Sequence, residues 1–270
     1  MKNYPKYIKN TLHSVIRDMA KHSEDFCRCP EKDFTRNRKL PFEKLLTLLV
    51  KMGGHSLRDE MLDCLVFADV PASVSALVQQ RSKILPKALD YLFREFTGRC
   101  QKTNLYKGYR LLAVDGSDLQ FTANPNDPLS YFPGVNGQKP YSFLHLNALY
   151  DLNSGLYLDA VVQKRRATHE NAALVTMLDR SIIDRSNIKD SAIVIADRNY
   201  ESYNTLEQIR KKGLHYLIRL REAAGMLSNL PLPDGDFDLP VQIFLTRKQT
   251  NAVKVLIKEK NLMNSSSQLL

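Results

Sequence analysis

The sequence predicts an α/β chain, with an all-helical N-terminal region, a mixed sheet flanked by helices, and then the start of a β-rich segment. Two observations carry this prediction. Apolar residues recur at three- and four-residue intervals before position 105 and gather into short strand-like runs after it. Those runs follow the order three strands, helix, strand, helix, strand. The order fits an antiparallel meander followed by parallel strands that return through right-handed crossovers. The expected divisions are 1–104, 105–222 and 223–270.

In the first region, Phe42, Leu45, Leu46, Leu49 and Met52 form one helical stripe, stopped by Gly53 and Gly54. Leu85, Leu89, Leu92, Phe93 and Phe96 form another, with Pro86 where a first turn tolerates it and Gly98 beyond the end. Between them, one short helix opens at Ser56, and Pro71, Ala72 and Ser73 separate it from a run bearing Ser75, Gln79, Gln80 and Arg81. Two short helices with an exposed polar second member are a weak signal of a DNA-binding helix-turn-helix, and an ordinary helical hairpin whose polar face meets water explains them more readily.

After position 105, residues 110–115 read as a buried strand ending in Asp115, and 143–151 with 156–164 as a hairpin around a turn at 151–155. Thr168 is the expected N-cap of a helix carrying Ala172, Leu174, Val175 and Leu178, with Glu170 in its first turn. A second buried strand, 191–197, ends in Asp197. A helix over 202–212 stops at Gly213, and 216–220 is a further strand. The text then turns rich in proline and aspartate (Pro231, Pro233, Asp234, Asp236, Asp238) before two strand-like runs at 241–246 and 252–258.

Composition narrows the function. No apolar run among the 270 residues approaches the roughly 18 to 20 needed to cross a bilayer, and the opening segment lacks the apolar core of a signal peptide. A cytoplasmic protein without a membrane partner is expected. The four cysteines, Cys27, Cys29, Cys64 and Cys100, are too few for a disulfide framework and lack zinc-ligand spacing, so they read as reduced and structural. The net charge is +10, and residues 1–104 hold 19 Lys and Arg against 12 Asp and Glu. A surplus concentrated in this way fits a polyanionic partner.

Asp115 (AVDGSDLQ) and Asp197 (VIADRNYES) each close an apolar strand. If the two strands are parallel neighbours, their ends coincide and the carboxylates converge, as ligand sites do at strand ends in open sheets. Such a pair needs a shared proton or a cation, and oxygen ligands favour Mg2+ or Mn2+. The plain alternative is that each aspartate only caps the turn that follows it.

AVDGSDLQ, the hairpin, VIADRNYESY and HYLIRLRE resemble the DDE transposases of bacterial insertion sequences, in particular the IS-four family, and FTRNRKLPFEKLLTLLV and ALVQQRSKI resemble that family's helical N-terminal region. The resemblance implies a ribonuclease H-like fold and a DNA transposase. It implies Asp115 and Asp197 as catalytic metal ligands, Mg2+ or Mn2+ as cofactor, double-stranded DNA as partner, a homodimer, and a bacterial, nucleoid-associated setting. Complete relatives use two metal ions for in-line attack on phosphodiesters.

The family's third acidic residue, a Glu in the helical pattern Y-x2-R-x3-E-x6-K, has no match after Arg221. Tyr216 and Arg219 satisfy its first half, but position 223 is Ala223, and Glu222 and Glu259 stand outside such a pattern. The expectation is therefore a C-terminally truncated chain, inactive alone. A non-catalytic DNA-binding fragment is the alternative, and a metal-dependent nuclease using Glu170 is a third reading. His169 reads as a surface or capping residue. Asn199, where the family commonly has Gly, is expected to accept a left-handed backbone. Arg198, Lys164, Arg165 and Arg166 are the candidate DNA contacts.

Overall fold

Val15, Ile16 and Met19 lie on one side of the first helix, α1 (Tyr4–Lys21), and are buried there. They meet Leu45, Leu46 and Leu48 of α2 (Phe42–Lys51), Met61 of α3 (Leu57–Leu65), Leu77 of α4 (Val74–Arg81), and Ala88 and Leu92 of α5 (Lys87–Arg99) in one apolar core. The stop after α2 is reinforced from α3, where the buried Glu60 carboxylate accepts the amides of Gly53 at 2.8 Å and His55 at 3.0 Å. Ser73 caps α4 by accepting the Ala76 amide at 3.2 Å. Leu77 and Gln80 of α4 turn inward, so that helix is not the wholly solvated polar element its sequence suggests.

This computed structural model describes residues 3–36, 39–65, 72–100, 105–180, 191–221, 225–226 and 233–240. The chain divides into two units, Met1–Gln101 and Lys102–Leu270. The strand-like runs at 241–246 and 252–258, together with Glu222 and Glu259, lie outside the described residues.

The second unit holds the sheet. Strands β1 (Arg110–Phe121), β3 (Tyr141–Asp151) and β4 (Leu156–Lys164) form the antiparallel meander, and the two-residue β2 (Tyr131–Phe132) pairs with the start of β3. β5 (Ala192–Ala196) lies parallel to β1, and β6 (His215–Ile218) lies parallel to β5. The order β4, β3, β1, β5, β6 is a mixed sheet, an antiparallel meander continued by parallel strands. Helices α6 (Glu170–Arg180) and α7 (Tyr203–Lys211) cover it, burying Leu174, Met177 and Ile209 against Leu112, Val114 and Val194.

Three local expectations are corrected. β1 runs on past Asp115, because its antiparallel pairing with β3 continues to Phe121↔Ser142. The cap of α6 is His169, whose Nδ1 accepts the Ala172 amide at 3.2 Å, while the Thr168 hydroxyl donates to the Arg165 carbonyl at 2.9 Å. Asn199 is not left-handed, since it sits in a 3-10 turn (Arg198–Tyr200) and φ is positive only at Phe34, Lys107 and Asn136 among the described non-glycine residues.

Candidate active site

The parallel register of β1 and β5 ends at Ala113↔Ile195. Asp115 and Asp197 each stand two residues further on, so the two aspartates lie at the same level, Asp197 just past the end of β5 and Asp115 within β1 where its pairing with β5 has stopped. Both are exposed, and each ties one oxygen to backbone. Asp115 Oδ1 accepts the Gly116 amide at 2.8 Å, and Asp197 Oδ1 accepts the Asn199 amide at 2.9 Å, the cap of the 3-10 turn. Asp197 thus also does the capping work that the plain alternative assigned to it, whereas Asp115 stands inside β1 with no turn after it. Oδ2 of each has no hydrogen-bond partner among the described residues, leaving one hard oxygen of each aspartate free for a cation.

A second polar assembly stands beside them. His145 on β3 pairs across the ladder with Asp118 on β1, and its Nδ1 lies 2.6 Å from Asp118 Oδ1. Arg165 donates to the other Asp118 oxygen at 2.8 Å. On its far side, His145 Nε2 lies 3.1 Å from Glu170 Oε1 on α6, without the angle of a hydrogen bond. Burial pushes the Asp118 carboxyl up, but the hydrogen bonds and charges of His145 and Arg165 outweigh it and hold the group below the ordinary carboxylate range. Gly116 makes the assembly possible. A Cβ there would meet the His145 ring and Glu170 Oε1.

Tyr200 ends the 3-10 turn that follows β5. Its side chain is 1% exposed and its hydroxyl has no hydrogen-bond partner among the described residues. Burial first, then the negative charges of Glu170, Asp115 and Asp197, push the phenol well above its ordinary value. Among the described residues, however, no three His, Cys, Asp or Glu side chains converge closely enough to hold a metal ion together. Alternation along β1 gives the reason, since it sets Asp115 out of step with Gly116 and Asp118. The donors fit a hard divalent cation in kind, as a pair and not as a closed cage.

The basic candidates divide. Lys164 donates to Asp127 at 2.8 Å, Arg165 is paired with Asp118, and Arg166 donates to the Tyr131 carbonyl at 3.2 Å with its guanidinium 4.4 Å from the Phe132 ring centre. All three fasten the edges of the sheet. The Arg198 side chain is exposed and forms no ion pair among the described residues. His145, Asp118, Gly116 and Tyr200 escaped sequence reasoning. The short spacing from Asp115 to Asp118 was the one local signal for any of them.

Residues 106–263 match the family described as Transposase DDE domain. No curated protein matches the chain. Among solved structures, it is similar to the Mos1 transposase paired-end complex with left transposon end, at 14% identity and a TM-score of 0.30, covering 68% of this chain and 60% of that one. It is also similar to a pre-cleavage Mos1 transpososome, at 12% identity and a TM-score of 0.31, covering 69% and 61%. The chain thus spans about 60% of the length of these solved structures. Among the described residues, no helix is long and apolar enough to cross a membrane.

Proposed function

The chain belongs to the Transposase DDE domain family, and from that premise we propose that it binds DNA as a member of the insertion-sequence branch called IS-four, with Asp115 and Asp197 as the acidic pair of its catalytic centre. One observation carries the reading: the parallel register of β1 and β5, which delivers the two aspartates to one level with one oxygen of each left free. Two carboxylates so placed repel each other, and that repulsion favours a cation between them. A divalent ion such as Mg2+ or Mn2+, held by Asp115 and Asp197, would supply positive charge against the negative charge that develops on a phosphodiester under attack.

The chain's own groups set the stage. The Asn199 amide fixes the Asp197 carboxylate, and the Gly116 amide fixes that of Asp115. Arg198, exposed beside Asp197, is the cation assigned to a phosphate near the scissile bond. Lys164, Arg165 and Arg166 act chiefly by holding the sheet edge, and add their field along the DNA path. The sequence supplies two of the three acidic residues that the resemblance implies, so the reading assigns DNA binding without strand transfer by these residues alone.

A second reading, a metal-dependent nuclease with Glu170 as third carboxylate, is favoured by the place of Glu170, whose Oε1 lies 3.1 Å from His145 Nε2 and beside Gly116, the neighbour of Asp115. Incubating the purified chain with duplex DNA bearing the element's ends, in Mg2+ or Mn2+, separates the two. The first reading predicts binding that weakens steeply as salt rises, no strand transfer, and unchanged binding in Asp115→Ala and Asp197→Ala. Metal-dependent nicking abolished by either substitution, and by Glu170→Gln, would establish the second.

A further inference from the structure

The strongest unused feature lies in the first unit. Residues 27–36, between a 3-10 turn (Ser23–Phe26) and α2, form a loop stapled to the segment joining α4 and α5. The Arg28 amide donates to the Lys83 carbonyl at 2.8 Å, and the Leu85 amide to the Phe26 carbonyl at 2.9 Å. Inside the loop, the Cys29 carbonyl accepts the amides of Lys32 and Asp33, while the Cys29 amide donates to the Asp33 carboxylate at 3.0 Å. Phe34 is held at φ 58°, in the left-handed region where a bulky side chain is strained.

Between this loop and the end of α4 opens a cavity of about 380 Å3. Its walls combine three chemistries. Phe34 presents an aromatic ring, set edge-on to Phe42 at 5.4 Å between centres. Lys32, Arg36 and Lys83 present three cations against the single lining carboxylate of Glu31; the Lys83 ammonium stands 5.8 Å from the Phe34 ring centre and 3.7 Å from Asp33. Gln80 presents an amide that is 8% exposed and whose Oε1 has no partner among the described residues. A buried acceptor without a donor is costly, and the loop strain at Phe34 is a second cost borne at the same place.

We propose that this cavity receives one unpaired nucleotide of a DNA strand. Its base would lie against Phe34 and donate an N–H to Gln80 Oε1, and its phosphate would lie among Lys32, Arg36 and Lys83. A planar ring bearing a donor, joined to an anion, is the ligand that answers all three walls, and the volume falls in the range of small-ligand sites. The choice of DNA over a free nucleotide rests on the DNA-binding reading above, and is supported by the basic surplus of residues 1–104.

The test is fluorescence anisotropy of the full chain with three labelled probes: a fully paired duplex, the same duplex with one unpaired nucleotide, and that duplex with an abasic site at the same position. Free deoxynucleoside monophosphate serves as competitor. The unpaired nucleotide should bind about tenfold more tightly than either other probe, and Gln80→Met and Phe34→Leu should each erase that preference while leaving affinity for the paired duplex intact. Gln80→Met removes the orphaned acceptor at similar size, so it should melt no lower than the parent, which separates lost recognition from lost folding. Binding of paired duplex without any preference overturns the cavity assignment and leaves DNA binding standing. Binding of no probe overturns both. Tight, Gln80-dependent binding of the free monophosphate alone overturns the assignment to DNA.

Discussion

A Cβ added at Gly116 would meet His145 Cε1 at 2.9 Å, Nε2 still closer, and Glu170 Oε1 at 3.1 Å. The position is glycine for want of space, since its backbone is not left-handed. His145 is 5% exposed and held by Asp118, so it has little room to yield. Gly116→Ala should therefore destabilise the second unit by about 1–3 kcal/mol in urea unfolding, the usual cost of overpacking. Asp118 gives a pH-dependent counterpart. Its carboxyl is held below the ordinary range, so its stabilisation is complete above the unfolded value, near 4, and is lost as pH falls through the folded value. The stability gap between the parent and Asp118→Asn should be widest above about pH 5 and close as the solution is acidified below 4. Equal gaps at pH 6 and pH 3 would show that Asp118 acts by packing and not by charge.

At the scale of elements, the start of β1 is fastened to the turn after β3. Arg110 Nε donates to Asp151 Oδ2 at 2.9 Å with the two side chains 1% and 0% exposed, and Asp151 also accepts the Ser154 hydroxyl at 2.8 Å and the Asn153 amide at 3.0 Å. Removing one partner strands the other's charge in the core. Asp151→Ala should cost about 3–5 kcal/mol, whereas Arg110→Met combined with Asp151→Leu should recover most of it, as chemical denaturation of the three chains would show. None of this pairing was legible beforehand, because Arg110 reads as the polar edge of an apolar run. The helices of the first region were legible, since their stripes at three and four residues are the packing surfaces themselves. The second half of β1 was not. After Asp115 the sequence loses its apolar pattern, and pairing with β3, remote in the chain, sustains the strand. Helix α6 was found but its cap was misplaced, because Thr168 is spent on the Arg165 carbonyl and His169 takes its place.

For the molecule as a whole, element order carried the topology. Three strands followed by strand, helix, strand leaves few arrangements once crossovers are right-handed, and the observed order β4, β3, β1, β5, β6 is one of them. The aspartates were legible for the same reason, each being a charge at the close of an apolar run. His145 and Tyr200 were not, because only cross-strand register and the turn after β5 bring them to Asp118 and to the acidic end. The central claim is that Asp115 and Asp197 form one cation site. Mn2+ titration of the whole chain, followed by electron paramagnetic resonance, tests it most directly, with Asp115→Asn and Asp197→Asn as controls. The account predicts that each substitution weakens Mn2+ binding at least about tenfold and that, without metal, neither lowers the melting temperature, since each removes a repulsion. Mn2+ affinity unchanged in both variants would contradict it.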